Sequence, residues 1–281
     1  MYRILEKEKL NPTVTRMVID APMVARRAEP GQFIILRTDE NGERIPLTVA
    51  DFDRAAGSVT VIFQTVGATT EQLSRMEVGE CLHDFVGPLG RATETEGRKK
   101  VAIVGGGVGC AIAYPVAKKF FEMGAEVHAV VGFRTRELVI LENEFERVAA
   151  KFVRMSDDGS WGEKGLVTDA LRALIEGGEQ YDEVITIGPL PMMKFVCKLT
   201  KEYGIKTVAS MNPIMIDGTG MCGGCRLTVG GKTVFACVDG PEFDGHLIDF
   251  DEAIARSSMY RDFERAAHEK TCNLLNREVE Q

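Results

Sequence analysis

Hydrophobic and polar positions alternate in short runs over residues 1 to about 97. The runs TVTRMVID, GQFIILRT, PLTVADF and SVTVIFQTVG are separated by turn residues at Asn11-Pro12, Pro30-Gly31, Asn41-Gly42 and Gly57. Short strands at this spacing predict a small antiparallel β-barrel. One segment, ATTEQLSRM, breaks the alternation: Thr69 or Thr70 can cap a short helix that carries Leu73 and Met76 on one face. The polar stretch ETEGRKK then reads as a linker.

From Lys100 the period changes. KVAIVGGG is a continuous apolar strand running into glycines, and VGCAIAYPVAKKFFEMG is a helix-length segment ending at Gly124. The alternation continues with strand EVHAVVGF, helix TRELVILENEFERVA, strand KFVRMS, helix GLVTDALRALIEGG, strand DEVITIG, helix PMMKFVCKLTKEYG and strand IKTVAS. Five apolar strands separated by helices predict a five-stranded parallel sheet covered on both faces. Pro115 inside the first helix removes a backbone hydrogen bond and predicts a kink or a distorted helix start. After Ser210 the alternation stops in a glycine-rich segment with two short β runs, RLTV and KTVFACV, and the tail from Leu247 is charged with a helical pattern. The fold class is therefore β followed by α/β, in four parts: a barrel over 1–97, a nucleotide-binding α/β domain over 98–210, a loop over 211–246 and a helical tail over 247–281.

Composition narrows the function. The 281 residues carry a formal net charge of −8, the wrong sign for a nucleic-acid binder. No apolar run approaches the roughly 20 residues that span a bilayer, and the N-terminus is charged where a secretory signal is apolar, so a cytoplasmic protein without a membrane partner is expected. Three of the seven cysteines, Cys222, Cys225 and Cys237, crowd into one short segment, which in a reducing compartment favours metal over disulfides. Cys81, Cys110, Cys197 and Cys272 stand singly in apolar or helical contexts and read as inert thiols.

The spacing Asp217-x4-Cys222-x2-Cys225-x11-Cys237 matches the plant-type [2Fe–2S] pattern of C-x4-C-x2-C and a distant fourth ligand, with aspartate in the first position. Carboxylate oxygen is harder than thiolate but can ligate iron. Gly218, Gly220, Gly223 and Gly224 suit a backbone bending closely around a cluster. A structural zinc site built from the same thiolates with Asp217 or His246 is the alternative, although a zinc ribbon usually shows a second CxxC.

In VAIVGGGVGCA the first strand of the α/β domain turns through Gly105, Gly106, Gly107, Val108 and Gly109 into a helix, where free N–H groups and the dipole favour a dinucleotide pyrophosphate. The strict GxGxxG fails, because Cys110 occupies the last position counted from Gly105. Tight strand–helix packing would also use these glycines. Later strand ends contribute Gly132 and Arg134, then Asp157, Asp158 and Gly159, then Gly188, Pro189, Met192 and Met193. Arg134 and Arg136 could meet a 2′-phosphate, which leaves NAD(H) and NADP(H) both open. In the barrel, Arg44, Pro46, Leu47 and Thr48, then Val66, Gly67, Thr69 and Thr70, then Gly87 and Pro88, combine a cation, hydroxyls and glycines suited to the ring and phosphates of a flavin nucleotide.

Taken together, RIPLT, GPLG, VGGGVG, GFR, DDGS, GP-x-P-MM and the cysteine loop resemble the ferredoxin–NADP reductase superfamily. More narrowly, the chain is similar to the electron-transfer subunits of dihydroorotate dehydrogenase and to the small subunits of NADH-dependent reduced ferredoxin:NADP oxidoreductases, also called sulfide dehydrogenase subunit beta. The aspartate at 217 resembles the latter. The resemblance covers nearly the whole chain. It implies FAD in the barrel, NAD(H) on the α/β domain, a [2Fe–2S] cluster on Asp217, Cys222, Cys225 and Cys237, and no catalytic side chain beyond cofactor chemistry. It also implies a heterodimer with a larger glutamate-synthase-like subunit carrying another FAD and [4Fe–4S] clusters, with electrons divided between ferredoxin and NADP. One departure stands out: the superfamily pattern Arg-x-Tyr-Ser/Thr spans three positions, whereas Arg44 to Thr48 spans four and Pro46-Leu47 replaces the tyrosine. Alternatives are an electron-transfer subunit for dihydroorotate oxidation and, more distantly, a non-enzymatic nucleotide-binding protein with a zinc loop.

Overall fold

A computed structural model describes residues 2–260 and 262–266. Among these residues the barrel is a sheet of seven antiparallel strands, β1 (Tyr2–Asn11), β2 (Val14–Asp20), β3 (Phe33–Arg37), β4 (Ile45–Asp53), β5 (Ser58–Gln64), β6 (Cys81–Leu82) and β7 (Asp84–Leu89), in the order β6-β1-β2-β5-β4-β3-β7. Short helices α1 (Pro22–Ala25) and α2 (Ala68–Arg75) close its ends. Its core is apolar, with Ile4, Met17, Ile34, Leu36, Val61, Phe63 and Phe85 fully or almost fully buried. Strands β1, β6 and β7 are not among the four runs that hydropathy revealed, and β1 is the longest of them. Its middle is Glu-Lys-Glu-Lys, and only Ile4 and Asn11 are buried, so its place comes from pairing with β2 rather than from apolar alternation.

The second sheet comprises β8 (Lys100–Gly106), β9 (Glu126–Phe133), β10 (Lys151–Ser156), β11 (Glu163–Lys164), β12 (Glu183–Ile187) and β13 (Thr207–Ser210), flanked by α3 (Cys110–Glu122), α4 (Glu142–Val148), α5 (Val167–Glu176) and α6 (Leu190–Glu202). The remaining segment adds the hairpin β14 (Arg226–Val229) and β15 (Lys232–Phe235), α7 (Ala236–Asp239), β16 (Glu242–Asp244) and α8 (Phe250–Ser257). The order is β11-β10-β9-β8-β12-β13-β16. The five predicted strands form its parallel centre. Two short edge strands were not anticipated: β11, parallel to β10, and β16, which the cysteine segment lays antiparallel on β13. The helix predicted from Thr135 begins only at Glu142, because Leu141 adopts a left-handed φ of 59° and Leu138 and Ile140 turn toward the barrel. Helix α3 runs through Pro115, and the irregularity falls at its start, where Gly107–Gly109 form a single 3₁₀ turn. Of the C-terminal tail, α8 and residues 262–266 are helical; Cys272 and the rest of the predicted helix beyond 266 lie outside the described residues. No helix among the described residues is long and apolar enough to cross a membrane.

The barrel and the second sheet are tied by specific polar contacts. Asn11, buried at the end of β1, donates to the Leu138 carbonyl (3.0 Å) and accepts from the Thr13 and Val14 amides. Lys118 of α3 reaches Asp51 of β4 at 3.2 Å. Thr93 of the linker donates to Glu242 of β16 at 2.8 Å. Burial, reinforced by Glu183 and Glu94, pushes the Glu242 carboxyl up to about 7 in spite of that hydrogen bond.

Two outcomes follow for stability. Asn11→Ala removes the side-chain partner of the buried Val14 amide, the half-buried Thr13 amide and the Leu138 carbonyl and should cost about 1–3 kcal/mol, read from chemical denaturation. Glu242 is protonated in the folded chain and ionised in the unfolded chain between its ordinary 4.5 and about 7, so stability falls as pH rises through that window. Glu242→Gln, which still accepts from Thr93, should therefore gain in denaturation midpoint over the parent at pH 8 and show little difference at pH 4.5; equal gains at both pH values would refute this role.

Candidate cofactor and metal site

A cavity of about 1120 Å³ opens between the barrel and the carboxyl edge of the parallel sheet. That edge is where open α/β sheets bind ligands, and the volume suits extended dinucleotides. On the barrel side its wall contains Pro46, Leu47 and Thr48 of β4, with Val66 and Thr70 at the start of α2. On the sheet side it contains Gly106, Gly107, Val108, Gly109, Gly132, Arg134, Asp157, Gly188, Pro189 and Met192. The end wall is Met211, Asn212, Pro213 and Met215, which lead into the cysteine segment.

Gly109 shows why the strand-to-helix turn has no side chain. A Cβ there would stand 2.7 Å from both the Ile187 carbonyl oxygen and the Gly188 Cα, so β8, β12 and the start of α3 meet with no room for one. Gly106 to Gly109 and Ile112 of α3 thereby line the cavity where the strand turns into the helix, the place a pyrophosphate takes in such sheets.

Ten residues singled out in the sequence, Arg136 among them, lie outside the cavity wall. Gly105 packs its α-carbon against Cys110 and Ala113 inside the domain. Asp158 turns away to accept from the Ser160 amide and hydroxyl, which lowers its pKa, and the neighbouring Gly159 packs against Lys164. Met193 is fully buried with Phe33 and Ile35. Gly87 packs against Ile34, beside Pro88 in β7, Thr69 is buried and donates to Glu43, and Gly67 exchanges hydrogen bonds with the Thr70 hydroxyl to start α2. Arg44 is the instructive case. It precedes β4 by one residue; Ile45 to Thr48 line the cavity, while the Arg44 guanidinium donates to the Ile216 carbonyl at 2.8 Å and lies 3.4 Å from Asp84. The cation is thus turned to the cysteine segment and away from the cavity. Conversely, Asn11, Gln64, Lys198 and Asn212 line the cavity without having been singled out. Only Asn212, just beyond the last parallel strand, carried a positional signal for this.

The four proposed iron ligands fall into two pairs. Asp217 is half-buried and Cys222 exposed, and the Cys222 thiol donates to the Asp217 carboxylate at 3.3 Å. Cys225 and Cys237 are buried, with the Cys237 amide 3.4 Å from the Cys225 sulfur. Asp217 also accepts from the amides of Thr219, Met221 and Cys222 and from the Thr219 hydroxyl. Burial opposes its ionisation, but the Cys222 thiol and these donors outweigh it and hold the carboxyl at about 2. Burial, then the Cys225 thiol, pushes the Cys237 thiol up to about 12, so metal must displace that proton. Gly218 (φ +78°) seats the loop: a Cβ would lie 2.6 Å from Leu89 and 3.0 Å from Ile35.

A single tetrahedral zinc with thiolates at about 2.3 Å would draw its donors to roughly 4 Å of one another. Among the described residues the one set of three or more such donors that close together is Glu126, His128 and Glu179, at the opposite end of the sheet and already bridged by Lys100. His246, the other zinc candidate, lies beside the Thr200 hydroxyl at 3.0 Å. Two pairs, each able to serve one iron, fit a two-iron cluster better.

The barrel, the parallel sheet with its glycine turn and the paired ligand loop define a flavin-reductase-type electron-transfer oxidoreductase with an appended iron–sulfur segment. The iron–sulfur cluster binding domain of dihydroorotate dehydrogenase B matches residues 212–249, and the oxidoreductase NAD-binding domain matches residues 103–198. The chain is 44% identical over 270 residues, 96% of its length and 95% of the relative's, to a dihydroorotate dehydrogenase B (NAD(+)) electron transfer subunit homolog of Thermotoga maritima. It is 35% identical to the corresponding electron transfer subunit of Bacillus velezensis, over 82% of this chain and 91% of that one. The chain belongs to this family of electron-transfer subunits and their homologues. A chain of the NADH-dependent reduced ferredoxin–NADP oxidoreductase structure, solved for insight into flavin-based electron bifurcation, superposes with a TM-score of 0.92 at 42% identity, covering 96% of this chain and 97% of that one. The cytochrome b5 reductase domain of Ulva prolifera nitrate reductase shares the fold, with a TM-score of 0.61 at 18% identity over 73% of this chain and 93% of its own.

Gly109→Ala should displace the start of α3 and reduce the affinity for NADH at least tenfold, read by titration, while bound flavin is retained. Unchanged NADH affinity would remove the glycine turn from the nucleotide site.

Proposed function

We propose that this chain is the NADH-oxidising electron-transfer subunit of a flavin-based ferredoxin–NADP oxidoreductase, docked in a reducing cytoplasm on a larger subunit of the glutamate-synthase type. The observation that carries this reading is continuity: the end wall of the cavity, Met211 to Met215, reaches Asp217 two residues later, so the nucleotide cavity and the ligand loop are one piece of structure. Bound FAD supplies two-electron exchange with a nicotinamide and single-electron release, and a bound [2Fe–2S] cluster supplies the one-electron relay. The chain contributes position and field. Gly106, Gly107 and Gly109 leave the α3 amides open to the NADH pyrophosphate; Thr48 and Thr70 offer hydroxyls to the flavin; Leu47 and Pro46 give its ring an apolar wall. Gly132, Arg134, Asp157, Gly188, Pro189 and Met192 complete the nucleotide side. Asp217 with Cys222, and Cys225 with Cys237, would hold one iron each.

The family resemblance also supports a second reading, in which the partner is a dihydroorotate-oxidising flavoenzyme. Aspartate at 217 favours the ferredoxin–NADP assignment. The partner recovered by co-purification separates the two: a large chain with flavin and [4Fe–4S] clusters for the first, an FMN-dependent dihydroorotate enzyme for the second.

Anaerobically purified protein should contain stoichiometric flavin and iron, show flavin bleaching on addition of NADH, and give a [2Fe–2S] EPR signal with NADH or a stronger reductant. Cys225→Ser should remove most of the iron and the EPR signal and leave NADH-dependent flavin bleaching within about twofold. A colourless protein with stoichiometric zinc would overturn the assignment.

A further inference from the structure

The Arg44 guanidinium joins the barrel to the iron-ligand loop across 172 residues of sequence. Its Nε donates to the carbonyl of Ile216 at 2.8 Å, and that carbonyl belongs to the peptide whose nitrogen is Asp217. Its Nη1 lies 3.4 Å from Asp84 of β7, which is held in turn by Arg37 of β3 at 2.8 Å. The guanidinium is about two-thirds shielded from solvent, and the planar fork fixes both contacts at once. Two residues further on, Gly218 lies flat on Ile35 and Leu89 of the same strands. Asp217 is thus bracketed by two attachments to the barrel, one polar and one steric. Arg44 also immediately precedes β4, whose Pro46, Leu47 and Thr48 form the flavin side of the cavity.

We infer that Arg44 is a positioning residue for electron transfer: it fixes the Asp217 side of the cluster against the flavin-bearing strand and holds a positive charge on the peptide that leads into Asp217. The inference rests on the iron–sulfur reading of Asp217, Cys222, Cys225 and Cys237. A cation at this place stabilises the more negative, reduced cluster and so raises its reduction potential. The hydrogen bond to the Ile216 carbonyl holds the turn in which the Asp217 carboxylate collects the amides of Thr219, Met221 and Cys222. Removal of the side chain loosens that turn as well as removing the charge.

The test compares Arg44→Met and Arg44→Lys with the parent in two measurements. In holoprotein, an EPR-monitored redox titration should show a cluster midpoint shifted to lower potential and a broadened signal in Arg44→Met, at full flavin and iron content. Arg44→Lys, which keeps the charge without the fork, should recover most of the potential but not the line shape. In cluster-free chain, hydrogen exchange at the Thr219, Met221 and Cys222 amides should accelerate about tenfold in Arg44→Met, as expected for loss of one charge-assisted hydrogen bond. An unchanged potential and line shape would overturn the inference, as would loss of flavin with the cluster intact, which would return Arg44 to the flavin phosphate. If the parent itself takes up no iron, the cluster reading fails; unchanged exchange in the cluster-free variant would then refute the anchoring by Arg44 independently.

Discussion

A single apolar core shared by three parts of the chain sets the geometry on which electron transfer depends. Phe33 and Ile35 of barrel strand β3, Met193 and Cys197 of α6, and Met211, Met215, Cys225, Leu227, Ala236 and Cys237 of the ligand segment pack into one cluster, with Phe250 and Ala253 of α8 closing it from outside. Tunnelling between redox centres falls steeply with distance, so an electron-transfer chain needs its cofactors at fixed separation. Close-packed side chains provide that better than a linker, because such an interior yields little to thermal motion. Of the proposed iron ligands, Cys225 and Cys237 belong to this core, and Asp217 and Cys222 lie in the turn that follows Met215.

The same logic explains how the polar groups are distributed. At the amino edge of the parallel sheet, Lys100, Glu126, His128, Lys151, Glu179 and Tyr181 satisfy one another, and burial lowers the His128 pKa so that its ring stays neutral between Tyr181 and Glu126. At the opposite end the cavity is lined by the glycine turn and by charged residues that include Arg134, Asp157, Asp169, Arg172, Lys198 and Glu202. One end of the sheet is internally neutralised, and the other is left to interact with ligand.

Much of this was legible in the chain. The barrel strands β2 to β5 and the five parallel strands announced themselves by period, and the aspartate–cysteine spacing named its own chemistry. What escaped was decided by tertiary contact. Strand β1 is charged along its middle and is held by β2; α4 starts late because Leu138 and Ile140 serve the barrel; β16 is three residues that gain meaning only beside β13. Within the site, spacing located the glycine turn and the ligand loop, but not the facing of side chains. Arg44, just before β4, turns to the ligand loop while Ile45 to Thr48 line the cavity, and Asp158 is captured by Ser160 while Asp157 lines the cavity. The turn of a side chain at a strand end is invisible to composition and decisive for chemistry.

The pairing of β16 with β13 has a consequence for how the protein survives before it matures. Strand β13 would otherwise end the sheet with a free row of amides and carbonyls, the kind of edge that recruits other chains. Here the cover comes from the segment that also holds Cys222, Cys225 and Cys237, through contacts at Val208, Ala209 and Ser210. A newly made chain in which Glu242–Asp244 has not yet docked therefore presents an open β edge, so folding of the cysteine segment also guards the sheet against other chains.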